Sequence, residues 1–227
     1  MKKKIVSLAL VVVMLAIMMT SFTMAYFTDE DSKTNTFTTG DVQIEVCEEN
    51  ADGTPFTQDQ ELLPGVLVNK YVYVDNKGPN DAYVRVTFMW PKQYDEITGI
   101  QFWRYWNTKW SFADKTKDAA NYADTLWETT IDGDTYVCLT FYCDNAVASG
   151  KTAGDFRLMS TFYIPKSFDW VDKENGIYSV GNGDNKITVT CSNPDLPIGL
   201  TVKAEAIQAD GFSDVWTAFA AYDAQNG

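Results

Sequence analysis

TTIDGDTYVCLTFYCD, residues Thr129 to Asp144, carries the plainest strand and turn signals in the chain. Asp-Gly at 132–133 is a strong short-range signal for a two-residue hairpin turn, because both central positions of that turn need positive φ. After the turn, Tyr136, Cys138, Thr140 and Tyr142 alternate with Val137, Leu139, Phe141 and Cys143. A period of two is that of a strand with two different faces.

The same period recurs on both sides of this stretch. VNKYVYVDN (Val68 to Asn76) alternates, NKGPND turns, and AYVRVTFMW (Ala82 to Trp90) alternates again, a pair that reads as a hairpin with a longer loop. Further strands are expected at DVQIEV (Asp41 to Val46), FRLMSTFYI (Phe156 to Ile164), KITVTCS (Lys186 to Ser192) and GLTVKAEAIQA (Gly199 to Ala209). Two segments break the pattern. ADKTKDAANYADT (Ala113 to Thr125) reads as a loop with a short helix. SDVWTAFAAYDA (Ser213 to Ala224) places Val215, Phe219 and Tyr222 on one helical face, with Ser213 as expected N-cap. The expected fold is therefore all-β, a jelly-roll-like β-sandwich with a short C-terminal helix, in one domain spanning 26–227.

The N-terminus has a different character. MKKK precedes the apolar run Ile5 to Met19, and TSFTMA supplies a small-residue exit ending at Ala25. That order describes a secretory signal peptide over 1–25, with the bond Ala25–Tyr26 as the expected cleavage point. The run of 15 residues would rise about 22 Å as a helix, short of a hydrocarbon core about 30 Å thick. Residues 26–38 then form a polar arm led by Tyr26 and Phe27, with no glycine or proline to turn it.

Composition limits the chemistry. Net charge is −13, and removing the segment that carries Lys2, Lys3 and Lys4 takes it to −16, which argues against nucleic acid as a partner. The chain has no histidine, so Ser/His/Asp and Cys/His triads and an HExxH zinc site are absent. Cys47, Cys138, Cys143 and Cys191 allow three disulfide pairings or free thiols. Cys138 and Cys143, five apart on one strand, should face opposite ways.

GKT at 150–152 lacks the glycine of a phosphate loop, because Asn145 stands in that place. QFWRYWNTKWSF (Gln101 to Phe112) offers Trp103, Tyr105, Trp106 and Trp110 for stacking on sugar rings, against the alternative that these rings fill the core. The carboxylates Asp29, Glu30, Asp31, Glu48, Glu49, Asp52, Asp169, Asp172 and Glu174 lack calcium-loop spacing and read as solvated surface. LPIGL (Leu196 to Leu200) is no wall-sorting signal, so no covalent anchor is read.

The junction AYFTDEDSKTNTFTTGDVQIEV (Ala25 to Val46), then LLPGVLVNKYVYVDNKGPNDAYVRV, then ITVTCS and LTVKAEAIQADGF, resembles the TasA/camelysin family of Gram-positive exported proteins. The likeness covers both ends of the mature chain, whereas roughly 91–130 looks individual to this protein. It implies a signal peptide of the type removed by the SipW signal peptidase, and a jelly-roll subunit of extracellular biofilm fibres. It also implies a freed arm, Tyr26 to about Thr38, donated as a strand to the next subunit, with Phe27 and Phe37 docking there. Camelysin-type members are classed as metallopeptidases, but without histidine a zinc peptidase lacks its usual nitrogen ligands. The expectation is a secreted, non-enzymatic matrix protein without cofactor, partnered by its own copies and by an accessory matrix protein or glycan. The alternatives are a monomeric carbohydrate-binding or adhesion module using residues 101–112 and, third, a peptidase.

Overall fold

Strands that alternate small β-branched and aromatic residues need partners on both edges and cover on one face, and the chain supplies both. A computed structural model describes residues 28–31, 42–50, 52–56, 63–97, 99–101, 109–112, 122–153, 158 and 161–226. The expected signal segment 1–25, with the cleavage pair Ala25 and Tyr26, lies outside these residues. So do Phe27 and Phe37.

In chain order the strands are β1 (Thr28–Asp31), β2 (Ile44–Glu49), β3 (Leu67–Val68), β4 (Tyr71–Asn76) and β5 (Ala82–Pro91). β6 (Gly99–Gln101), β7 (Trp110–Phe112), β8 (Trp127–Ile131), β9 (Asp134–Cys143) and β10 (Thr161–Tyr163) follow. The last are β11 (Asp169–Asp172), β12 (Ile177–Val180), β13 (Ile187–Thr190) and β14 (Thr201–Gln208), before the helix α1 (Val215–Asn226). The protein is thus all-β with one short C-terminal helix, as the sequence pattern predicts.

The main sheet runs β1-β14-β5-β9-β7, with β8 also on β9. β8 and β9 form the hairpin that Asp132-Gly133 specifies, with φ of 52° and 93° at the two turn residues. β9 alternates as expected: Val137, Leu139, Phe141 and Cys143 enter the principal core, while Cys138 lies on the other face. All four cysteines are free thiols, and Cys138, Cys143 and Cys191 are buried.

The second expected hairpin does not form. β4 pairs with β2, and β5 pairs with β14 and β9. The NKGPND segment carries the chain from one layer to the other. Val72 and Val74 of β4 meet Val84, Val86 and Phe88 of β5 through their side chains in one core. Alternation is equally satisfied by facing a strand across a core or lying beside it, and packing chose the former. The β2–β4 ribbon over the main sheet makes the layers of a β-sandwich; the two opposed four-stranded sheets of a jelly roll are not spelled out by the pairings among the described residues.

Two smaller cores flank the main one. β11, β12 and β13 form a sheet that was not expected before Lys186, and its Trp170 and Tyr178 pack with Phe168, Tyr94 and Ile97. α1 covers the opposite face of the main sheet, setting Val215, Ala218 and Phe219 on Tyr83 and Ile207. Its N-cap is Asp214 rather than Ser213. Asp214 Oδ1 accepts from the Thr217 amide at 2.8 Å and from its hydroxyl at 2.9 Å, so the carboxylate one residue later takes the capping role.

Candidate functional site

The edge formed by β14 and β1 is where the arm meets the fold. β14 is built from TVKAEAIQ: Val202, Ala204 and Ala206 enter the principal core, whereas Ile207 packs beneath the helix. One side of β14 is bonded along its length to β5, from Thr201 opposite Met89 to Gln208 opposite Ala82. Among the described residues its other side is closed by β1, in the register Thr28–Ile207, Asp29–Ala206, Glu30–Glu205 and Asp31–Ala204. Four residues of the predicted arm therefore form the outermost strand of the sheet among the described residues. Without them, β14 would present unpaired amides and carbonyls, the template for adding a strand.

The outward row of this edge is charged. Glu205 is buried, and its Oε2 accepts from Arg85 Nε at 2.5 Å while Lys203 Nζ lies 3.2 Å from Oε1. Arg85 Nη1 reaches Asp223 of α1 at 2.8 Å, and the guanidinium lies over the rings of Phe219 and Tyr222. Burial opposes the charge of Arg85, but the hydrogen bonds it donates to Asp223 and Glu205 outweigh it and raise its pKa above the ordinary arginine value. This network ties helix, β5 and β14 together.

The aromatic run divides. Trp110 and Phe112 are 8% and 1% exposed in the principal core, so Trp110 is not available to stack on a ligand. Its place on β7, beside Cys143 of β9, decides this, because residue parity on that strand faces the core. Trp103, Tyr105 and Trp106 lie outside the described residues.

Among the described residues one group could gather metal donors, and sequence reading missed it because Cys47 and Asp75 lie on different strands. Glu45, Cys47 and Asp75 sit on the outer face of the β2–β4 ribbon, with donor atoms within 4.8 Å of one another. Lys77 already answers their charge, its Nζ 2.8 Å from Asp75 Oδ2 and 3.3 Å from Glu45 Oε2. Thr152 Oγ1 donates to Asp75 Oδ1 at 2.6 Å. Burial works to raise the pKa of Asp75, but the bonds from Lys77 and Thr152 prevail and hold it below the ordinary carboxylate value. Burial, then the charges of Asp75 and Glu45, push the Cys47 thiol up to about 11. A thiolate, not a thiol, ligates metal.

Residues 1–90 match the model of a family described as camelysin metallo-endopeptidase. The resemblance to the TasA/camelysin family is supported. The match ends at Trp90, within β5, close to where the chain looks individual. No curated protein and no solved structure matches the chain. The family description implies a catalytic metal, ordinarily zinc held by nitrogen and oxygen ligands with one open position. The residues present do not fit it. There is no histidine, and the Glu45–Cys47–Asp75 group offers a single thiol and two carboxylates already engaged by Lys77.

Proposed function

We propose that this chain is a secreted, non-enzymatic structural protein of the extracellular matrix. Its copies join head to tail when the N-terminal arm of one closes the β14 edge of the next. The observation that carries the reading is the place of β1, an N-terminal strand of four residues closing an edge that a second copy could close equally well. The family-level link to TasA/camelysin proteins supports it, and so does the poor fit of the acidic group to a peptidase metal.

Strand addition draws affinity from backbone bonds and register from alternate side chains. An arm docked in the observed register and extended regularly would bring Phe27 and Phe37 to the row of Asp29 and Asp31, opposite the core-side Ala206 and Ala204. Donation of this kind is heterologous and does not close, so it builds filaments. On this reading export includes cleavage at Ala25–Tyr26, which frees the arm, and the partners are further copies with an accessory matrix protein or glycan.

The test is negative-stain electron microscopy of two proteins, one starting at Tyr26 and one at Gly40. Filaments from the first and monomers from the second are expected. Filaments from both would remove the arm from assembly. Monomers from both, persisting after matrix extract is added, would overturn the polymer and leave a monomeric glycan-binding module. That second reading has lost Trp110 to the core and keeps only Trp103, Tyr105 and Trp106.

A further inference from the structure

Asparagine followed by glycine is open to a reaction of the chain with itself, because glycine carries no Cβ to keep its amide nitrogen from the asparagine side chain. Two such pairs flank β12. Asn175-Gly176 lies in the turn from β11, and Asn182-Gly183 in the turn to β13. A third, Asn226-Gly227, ends at a glycine outside the described residues. As dipeptides the first two are equivalent, but the fold treats them differently.

Asn175-Gly176 is restrained on every side. Asn175 Nδ2 donates to Asp172 Oδ2 at 2.7 Å, and the Asn175 amide donates to Asp172 Oδ1 at 3.2 Å. The Gly176 amide donates to the Lys173 carbonyl at 3.3 Å, and the Gly176 carbonyl accepts from the Cys191 amide at 2.8 Å. Gly176 is buried, and a Cβ on it would stand 2.9 Å from the Cβ atoms of both Cys191 and Pro194. Asn182-Gly183 lacks these restraints. Both residues are exposed, and the Asn182 side chain makes no capping bond. The Gly183 amide opens a 3-10 turn, so that turn offers it no acceptor. A Cβ at Gly183 would meet nothing within 4 Å, which leaves the backbone there free to rotate.

We infer that Asn182 is a site of spontaneous modification, deamidating through a cyclic imide, and that the fold withholds Asn175 from the same reaction. The Gly183 nitrogen gives up its proton and bonds to Asn182 Cγ. The Cγ–Nδ2 bond breaks, and ammonia leaves with that proton. Water then opens the ring. Opening at Cγ leaves aspartate; opening at the original backbone carbonyl leaves isoaspartate, whose main chain runs through Cβ and Cγ. Nothing is oxidised or reduced, and each event adds one negative charge. The Asn182 carbonyl accepts from the Asn185 amide at 3.2 Å. In isoaspartate that carbonyl becomes a free carboxylate off the main chain, so the turn holding β13 on β12 is loosened. The reaction needs only this turn and water, and does not depend on how copies of the chain join.

The test is to age the full chain in warm, mildly alkaline buffer, digest it at acidic pH, and follow both sites by mass spectrometry of their peptides. Both sites are read in the same folded molecule. Asn182 is expected to convert roughly tenfold faster than Asn175 in the native chain, and at a similar rate in guanidinium, where the restraining hydrogen bonds are gone. Asn182→Gln, which would need a larger ring, should abolish conversion at that site and leave Asn175 unchanged. Asp172→Ala should raise the Asn175 rate several-fold. Equal native rates would overturn the inference. A gap that persists in guanidinium would also overturn it, by tracing the difference to neighbouring residues instead of the fold. An unchanged Asn175 rate in Asp172→Ala would overturn the restraint assigned to that carboxylate.

Discussion

Arg85 Nε lies 2.5 Å from Glu205 Oε2, joining the centre of β5 to the strand that receives the arm. The two residues are 120 apart in sequence, and both side chains are largely buried, at 12% and 9% exposure. Removing one partner of such a pair leaves a charge with poor solvation. Arg85→Met should destabilise the protein by about 3 kcal/mol in urea unfolding, the lower end of the usual range because Lys203 still faces Glu205. Adding Glu205→Leu should recover most of that loss. A double variant less stable than Arg85→Met alone would show that the pair is not what matters there.

Two glycines with similar backbone angles should respond very differently. Gly133 has φ of 93° and Gly181 has φ of 97°. A Cβ at Gly133 would meet nothing within 4 Å, whereas one at Gly181 would stand 2.3 Å from the Asn185 carbonyl oxygen. Gly133→Ala therefore costs only backbone strain, about 1 kcal/mol. Gly181→Ala adds a clash with backbone that cannot rotate away, and should cost about 3 kcal/mol or more. Thermal unfolding of the two variants side by side checks the order.

Trp110 separates a core role from a ligand role. Trp110→Ala should lower stability by about 3–5 kcal/mol, as expected when a large buried ring is deleted. Trp103→Ala and Trp106→Ala are the variants that test glycan binding. Loss of glycan binding by Trp110→Ala with unchanged unfolding would contradict its place in the core.

The Cys47 thiol should be sluggish. With its pKa raised from 9.0 to about 11, its thiolate fraction near pH 8 falls roughly a hundredfold, and alkylation should slow in proportion. The rate should climb as pH rises toward 11, and Asp75→Asn should speed it at fixed pH by removing a charge that opposes the thiolate. Mass spectrometry of iodoacetamide-treated protein reads both effects. Because Lys77 already engages Asp75 and Glu45, added zinc should leave the Tm unchanged, and a zinc-dependent rise abolished by Cys47→Ala would show that the group does hold metal.

Part of the candidate site was legible in the residues. The arm stood out as a polar stretch between an apolar N-terminus and the first alternating strand, and four of its residues do form a strand. Its acceptor was not legible, because nothing in TVKAEAIQ distinguishes a strand with one free edge from a strand with none. The Glu45–Cys47–Asp75 group and the Arg85 network were hidden for the same reason: each depends on which strands lie side by side.

The features legible in the residues are local. Period-two alternation set the faces of β9, the Asp-Gly pair set the β8–β9 hairpin, and helical spacing put Val215 and Phe219 on the buried side of α1. These follow from forces acting within a few residues, chiefly φ preference and side-chain direction. Tertiary structure alone decided the partners. It sent β4 to β2 instead of β5, turned Trp110 inward, and placed β1 on β14. Pairing and facing use the same alternating pattern, so only the simultaneous packing of distant strands around one core can choose between them.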